Sequence, residues 1–326
     1  MDLATPYLGL TLPTPFVVGA SPFCDSVQLA RQLQDAGAGA VVMRSLFEEQ
    51  LDPPRVSTAR PEASGLDPPE RFPDDSEYQF SPEQYLRQLA ALKRGLSIPV
   101  IASLNAHRPG GWAWFAPSLE QAGADAIELN FYQVVTDTRV AADQVETEML
   151  ETVGLVACAV GIPVAVKLSP FHAAVAQLAV ALELAGAAGL VLFNRFFQPD
   201  VNIDDLTVKP TLQLSDSSEL RLRLRWLAIL APQVRGSLVA GGGVHTADDA
   251  IKALLTGASA VQVVSVLMRH GPSVLTQLCT GLRAWMRAHG YSELAQFRGR
   301  LDLRRCPDAG AFERANYIRI LQSMQP

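Results

Sequence analysis

Leu238–Val266, LVAGGGVHTADDAIKALLTGASAVQVVSV, reads as strand, glycine turn, helix, turn and strand, and this order decides the fold. Leu238, Val239 and Ala240 form a short apolar run, closed by Gly241-Gly242-Gly243. Thr246 is placed to cap a helix, with Asp248 and Asp249 in its first turn, where carboxylates suit the positive end of the helix dipole. Ala250, Ile251, Ala253, Leu254 and Leu255 give that helix an apolar face, and Gly257 ends it. Ala260–Val264 is a second buried strand ending at Ser265. Three glycines after a strand admit a ligand close to the backbone and leave N–H groups for an anion. The alternative is a tight turn with no ligand, and the rest of the chain decides between the two.

The same punctuation recurs outward from that stretch. Ala36–Ala40, Ala122–Ala126, Ala185–Gly189 and Thr256–Ala260 are glycine-containing turns that each lead from a helix into an apolar strand. Pro99 and Pro163 sit at strand entrances, where a missing N–H donor is tolerated. The strands read at 16–20, 40–44, 99–104, 126–130, 163–168, 189–193, 236–240 and 260–264. The helices read at 26–36, 82–95, 112–122, 143–160, 173–185, 218–231, 246–256 and 272–289. Eight alternations of near-continuous apolar strand and amphipathic helix predict an α/β fold, a (β/α)8 TIM barrel. The glycine run then follows strand 7 and Ser265 follows strand 8, where such barrels commonly bind phosphate.

The 326 residues suit a single barrel domain, with 48% hydrophobic and 18% charged residues. A net charge of -6 argues against non-specific nucleic-acid binding. Cys24, Cys158, Cys279 and Cys306 lie far apart, so their spacing indicates no metal or iron–sulfur site. No signal peptide and no apolar run of membrane-spanning length is read, which predicts a soluble cytoplasmic protein. Two segments break the strand–helix rhythm. Residues 48–81, rich in proline and charge, follow strand 2 as a lid-like loop or substrate wall, the alternative being a surface insertion, and Arg195–Ser217 follows strand 6 and covers the mouth. Residues 300–326 form a tail whose amphipathic part, Phe312–Met324, either packs on the barrel or contacts another subunit.

Chemistry in a barrel sits at the C-terminal strand ends. Those ends carry Ala20-Ser21, Arg44-Ser45, Asn105, Asn130, Lys167, Asn194-Arg195, Gly241–Gly243 and Val264-Ser265. Lys167 ends an apolar strand, where an ammonium needs a partner. Two roles are open to it: a Schiff-base lysine, or fixed positive charge beside a cofactor that becomes anionic on reduction.

VVGAS, IPVIASL, GADAIELN, IPVAVKLSP, LFN, VAGGGV and GASAVQVVSVLMRHGP occur in the order and spacing of the dihydroorotate dehydrogenases. The chain resembles that family, in its soluble class, from about Pro6 to Arg300. The resemblance implies bound FMN, with Ala20 and Ser21 against the isoalloxazine ring. Arg44 takes the place of a lysine near flavin and substrate, followed by Ser45. Asn130 contacts flavin and substrate, Lys167 faces the flavin N1/O2 side, and Asn194 is a substrate-binding asparagine. Gly242, Gly243, Val264 and Ser265 hold the FMN phosphate. The resemblance also implies a homodimer.

The departures fall on the substrate side. The family's cysteine or serine base is replaced by Gln133, whose amide is no useful proton acceptor. Tyr132 is adjacent, though a free phenol titrates near ~10. Val135 replaces an asparagine, Arg195 a serine, and the proline-rich Leu51–Ser81 an asparagine-rich substrate loop. The expected catalytic group is therefore Lys167, Tyr132, Gln133 and Arg44, with Asn130, Asn194 and Arg195 on a small anionic substrate. The expected reaction is hydride exchange between flavin N5 and a CH–CH or C=C bond. Rival readings are a flavin-holding subunit served by a redox partner protein, and a Schiff-base enzyme.

Overall fold

Side chains along a strand alternate between faces, and here that alternation builds two separate cores. The computed structural model describes residues 1–51, 80–106 and 111–324. Its eight parallel strands are Phe16–Val18, Ala40–Phe47, Val100–Ala106, Ala126–Phe131, Val164–Leu168, Gly189–Leu192, Ser237–Gly241 and Ala260–Val263. They close in chain order, the eighth pairing with the first through Val261 opposite Phe16 and Val263 opposite Val18. The expected (β/α)8 barrel is the fold observed.

Val17, Val42, Ile101, Ala126, Ala165, Val191, Val239 and Ala260 point inward and fill the lower barrel. Their sequence neighbours, among them Val18, Val41, Val100, Ile127, Val166, Leu190 and Val261, point outward against the helices. Seven of the eight expected helices begin and end within two residues of the reading above; one such helix is Ala247–Leu255. The exception is Ala116–Gln121, which starts four residues later than expected. Trp112 precedes it, fully buried, with its indole N–H donating to the Asn105 carbonyl at 3.1 Å. That bond holds residues 111–115 in a turn, and Pro117 begins the helix proper.

The barrel floor was not read from the sequence. Thr5–Tyr7 and Leu10–Leu12 form an antiparallel hairpin whose buried Tyr7, Leu8 and Leu12 plug the lower core. Leu8 and Gly9 turn it with φ of 53 and 78°. Two left-handed residues match the twist of a hairpin, but leucine is a poor signal for such a turn. Burial of Leu8 offsets its strained backbone. The hairpin is tied across the floor by Leu8 N–H donating to Ser237 Oγ at 2.9 Å and Thr5 Oγ1 donating to the Ser259 carbonyl at 2.8 Å.

The long segment after strand 6 contains a second hairpin, Asp200–Asn202 with Thr207–Lys209. Most of the expected lid, residues 52–79, lies outside the described residues. Its two described ends are joined by Gln50 Nε2 donating to the Phe80 carbonyl at 2.7 Å. The tail forms a helix at Arg314–Ser323, separated from Leu220–Leu230 by a groove that includes Trp226, Ile229, Tyr317 and Ile320. Among the described residues, no helix is long and apolar enough to cross a membrane.

If the hairpin is the floor, Leu12→Ala opens a cavity in the sealed lower core. We expect a loss of ~2–5 kcal/mol in denaturant unfolding, the range for a buried leucine truncation. A loss under about 0.5 kcal/mol would show that the hairpin is a surface appendage.

Candidate active site

One step above the apolar floor, the inward positions turn polar. Ile101 gives way to Ser103, Ala126 to Glu128, Ala165 to Lys167 and Ala260 to Gln262, each two residues further along its strand. A cavity of about 880 Å³ opens above this layer, at the C-terminal mouth. Ala20, Ser21, Arg44, Ser45, Asn130 and Tyr132 line it from the first four strands. Lys167, Asn194, Arg195, Gly242, Gly243, Val264 and Ser265 line it from the last four. Of the expected catalytic, cofactor-binding and substrate-binding residues, Gln133 alone stands outside this lining; Val135, singled out as a departure, is outside it too.

Lys167 is the best-held of these groups. Its Nζ donates to Gln262 Oε1 at 3.2 Å and lies 3.5 Å from Glu128 Oε1. Gln262 Nε2 in turn donates to Glu128 Oε2. Glu128 is fully buried, so its counter-charge has to come from within the barrel. An ammonium has three donors; two point down into this ring and one remains for the cavity.

A second polar chain crosses the mouth. The Ser103 and Ser45 hydroxyls are 2.8 Å apart, Asn130 Nδ2 donates to Ser45 Oγ at 3.4 Å, and Asn194 Nδ2 donates to Asn130 Oδ1. These bonds orient both asparagine amides. Ser21 Oγ donates to the Gly19 carbonyl at 2.8 Å, beside Ala20.

The two arginines differ from the sequence reading. Strand 2 runs on to Phe47 with a register break between Val42 and Ser45, so Arg44 lies at an irregularity within the strand and not at its end. Its Nε donates to both Asp25 carboxylate oxygens, at 2.9 and 2.8 Å. Arg195 Nη2 lies 3.2 Å from Glu219 Oε1. Both guanidiniums therefore reach the cavity already paired, with other N–H groups left over.

Tyr132 is held from two sides. Its ring stacks on Phe196 at 4.2 Å between centroids, and its hydroxyl accepts the Phe197 N–H at 3.1 Å. Tyr85 also lines the cavity, but its hydroxyl donates to the Ser103 carbonyl and accepts the Ser103 N–H, and burial raises its pKa. Cys24 is no replacement base. It is buried, its thiol donates to the Val42 carbonyl at 3.3 Å, and burial, then Asp25, pushes it up to about 12.

The glycine run bends through φ of 87° at Gly242 and 76° at Gly243. A Cβ on Gly243 would stand 2.6 Å from the Leu220 backbone nitrogen, so the close approach requires glycine. The following helix cap is as the sequence indicates, and more. Thr246 Oγ1 accepts the Asp249 N–H at 3.2 Å, while Asp249 Oδ2 accepts from the His245 and Thr246 N–H groups at 3.0 Å each. Ser217 donates to the same oxygen at 2.6 Å. Burial opposes ionisation of Asp249, but the Ser217 hydroxyl and these N–H groups outweigh it and hold the carboxyl low. Ser265, after the neighbouring strand, accepts the Ser215 N–H at 3.1 Å and opens the short helix Ser265–His270.

The family model described as dihydroorotate dehydrogenase matches residues 82–286. The chain belongs to the dihydroorotate dehydrogenase family. Family relatives extend the match almost end to end. The chain is 28% identical over 311 residues to the catalytic subunit of dihydroorotate dehydrogenase B (NAD(+)) of Methanothermobacter thermautotrophicus, covering 91% of this chain and 97% of that one. It is 26% identical over 317 residues to subunit PreA of the NAD-dependent dihydropyrimidine dehydrogenase of Escherichia coli, covering 91% and 76%. Against the chloroplastic dihydropyrimidine dehydrogenase (NADP(+)) of Arabidopsis thaliana it is 25% identical over 326 residues, covering 91% and 76%. Membership makes the chain an oxidoreductase of the dihydroorotate dehydrogenase type.

Sequence reading missed Asp25, Glu219, Glu128 and Gln262. Glu128 and Gln262 carried a usable signal: each is a single polar residue between two apolar ones in a strand, two residues from an inward alanine. The partners of the two arginines come from turns and loops that no periodicity indexes.

His245 joins the glycine run to the cap, its Nε2 3.1 Å from the Ser215 hydroxyl. Burial first, then Arg269, lowers its pKa below the ordinary ~6.5. A depressed folded value means stability that is full above ~6.5 and is lost as pH falls through the folded value. The melting temperature of wild type minus that of His245→Gln should therefore shrink between pH 7.5 and 5. A difference that stays level across that range contradicts this burial of the neutral ring.

Proposed function

We propose that this protein is an FMN-dependent oxidoreductase that exchanges hydride with a CH–CH or C=C bond of a small anionic substrate. One observation carries the reading. A lysine ammonium, a bonded asparagine pair and a positive-φ glycine turn converge on one 880 Å³ cavity at the mouth of the barrel. Strand-end glycines after strand 7, faced by Ser265 after strand 8, are suited to a phosphate, as barrels commonly use these loops. The Gly243 backbone is fitted so closely that only a residue without Cβ leaves the turn intact.

FMN, when bound, supplies a two-electron acceptor at N5. The chain's own groups then divide the remaining work. Gly242, Gly243, Val264 and Ser265 hold the phosphate, and Ala20, Ser21 and Ser45 bound the ring. Lys167 places its third N–H and its positive charge on the side that gains charge on reduction. Asn130 and Asn194 orient the substrate. Arg44 and Arg195 offer their remaining N–H groups to its anionic part. Asp25 and Glu219 fix the direction of each guanidinium.

Proton transfer is where this chain leaves the family pattern. Gln133 lies outside the cavity lining, and Cys24 is sealed in the core. Tyr132 is taken as the proton donor or acceptor at the mouth: its hydroxyl accepts from the Phe197 N–H, so its own hydrogen is there to be given, while acceptance requires the phenolate. The relatives' names suggest dihydroorotate and dihydropyrimidines as the substrate class to test. Electrons would leave through a redox partner protein or a soluble acceptor, in a homodimer as in the family.

Anaerobic mixing of the FMN-loaded protein with dihydroorotate, and separately with dihydrouracil, tests the reaction. We expect flavin bleaching by a reduced pyrimidine. Dihydroorotate should be slower than with a well-placed base by ~10²–10⁴-fold, the usual worth of general base catalysis. Gly243→Ala should lose FMN on desalting. Retention of FMN by that variant, or no bleaching by either compound, counts against the reading.

A further inference from the structure

The ring formed by Glu128, Gln262 and Lys167 has no role in the reaction outlined above beyond holding Lys167 in place. Its composition is costly for a barrel core. A buried ion pair is often no more stabilising than well-packed apolar residues of the same volume. The layer immediately below is apolar in the same three strands, at Ala126, Ala165 and Ala260. Nothing in the packing therefore requires a carboxylate here.

The ring is also fully specified. One Glu128 oxygen faces Lys167 Nζ at 3.5 Å and the other accepts from Gln262 Nε2. Gln262 presents its oxygen to Lys167 at 3.2 Å, so its amide cannot turn over without losing both bonds. Gln262 and Lys167 both line the cavity, while Glu128 lies beneath them with no exposure. Any group bound above Lys167 senses a +1 charge with a −1 charge directly behind it. The carboxylate's influence also extends to the floor, where the Tyr7 hydroxyl is raised by burial first and by Glu128 second.

We infer that Glu128 and Gln262 are positioning residues that aim the Lys167 ammonium into the cavity, and that Glu128 offsets part of its charge and thereby holds down the reduction potential of the bound flavin. This rests on the FMN reading above. Reduction adds negative charge on the side that Lys167 faces, and a lone ammonium would favour the reduced form strongly. The carboxylate behind it weakens that preference, so that electrons accepted from substrate pass on readily.

The experiment is the two-electron midpoint potential of FMN-loaded wild type, Glu128→Gln and Gln262→Glu, measured by equilibration with a reference dye. Both substitutions keep the side-chain volume. The first removes a negative charge under Lys167; the second sets two carboxyls in contact, which share one proton at neutral pH and carry the added charge only once that proton leaves. We expect a positive shift for Glu128→Gln and, for Gln262→Glu, a shift relative to wild type that becomes negative between pH 7 and 9. Each should correspond to at least a tenfold change in the reduction equilibrium, about 30 mV for two electrons. A purely structural role would loosen the site in both variants and move both potentials the same way, or neither. Shifts in one direction, or none, in variants that retain FMN overturn the inference while leaving the FMN reading intact. If Glu128→Gln fails to fold, the sign of the Gln262→Glu shift at pH 9 decides alone. A wild-type protein that takes up no FMN overturns the reading of the site, and this inference falls with it.

Discussion

The ion pair between Lys167 and Glu128 depends on the register of two neighbouring strands. Asn130 pairs with Lys167, and Glu128 with Ala165. This stagger sets the carboxylate one step below the ammonium on the inner face. Because side chains alternate with a period of two, a slip of one residue in either strand would turn its charge outward into the helix layer and part the pair. The register that closes the barrel is thus the one that keeps the charges inside. It also stacks the polar layer on an apolar floor, since Ala126, Ala165 and Ala260 lie one inward step below Glu128, Lys167 and Gln262. Fold and site share a single constraint.

Above that layer, the cavity wall is made of groups that are already bonded to one another. Asn130 and Asn194 are joined, Arg44 is clamped by Asp25, Arg195 faces Glu219, and Tyr132 is fixed by Phe196 and Phe197. Such preorganisation removes the need to reorient dipoles during a reaction. Among the described residues it also balances charge locally: Lys167 faces Glu128, Arg44 faces Asp25, and Arg195 shares Glu219 with Arg223. Under the proposed reading, the cofactor half of the site keeps the family's residues, while proton transfer and substrate contact have been rebuilt on different side chains.

The barrel was legible because its signals are local and repeated. Each strand is an apolar run, each helix has one apolar face, and glycine marks most of the returns. The Thr246 cap could be read for the same reason, since its partner Asp249 is three residues away. The floor hairpin escaped because Leu8 occupies a left-handed position that leucine rarely takes, and only burial against the barrel core accounts for it. The strand-end positions named Lys167, Asn130 and Asn194 correctly as neighbours of one cavity. They did not predict that Arg44 sits at a register break, or that Asp25 and Glu219 would pair with the two arginines. Those pairings span 19 and 24 residues of chain and depend on where loops return. Gln133 illustrates the limit in the other direction: the resemblance in sequence sets it at the family's base position, under the proposed reading, while the cavity is lined by its neighbour Tyr132.

The central claim is that the glycine turn after strand 7 and the Lys167 layer together hold FMN. The visible absorption spectrum of the purified protein, taken after incubation with FMN and removal of the excess, tests it most directly. The account predicts the two bands of oxidised flavin at close to one flavin per chain, with FMN released on heating. A protein that stays colourless after this treatment, while its circular dichroism shows the folded barrel, would contradict it.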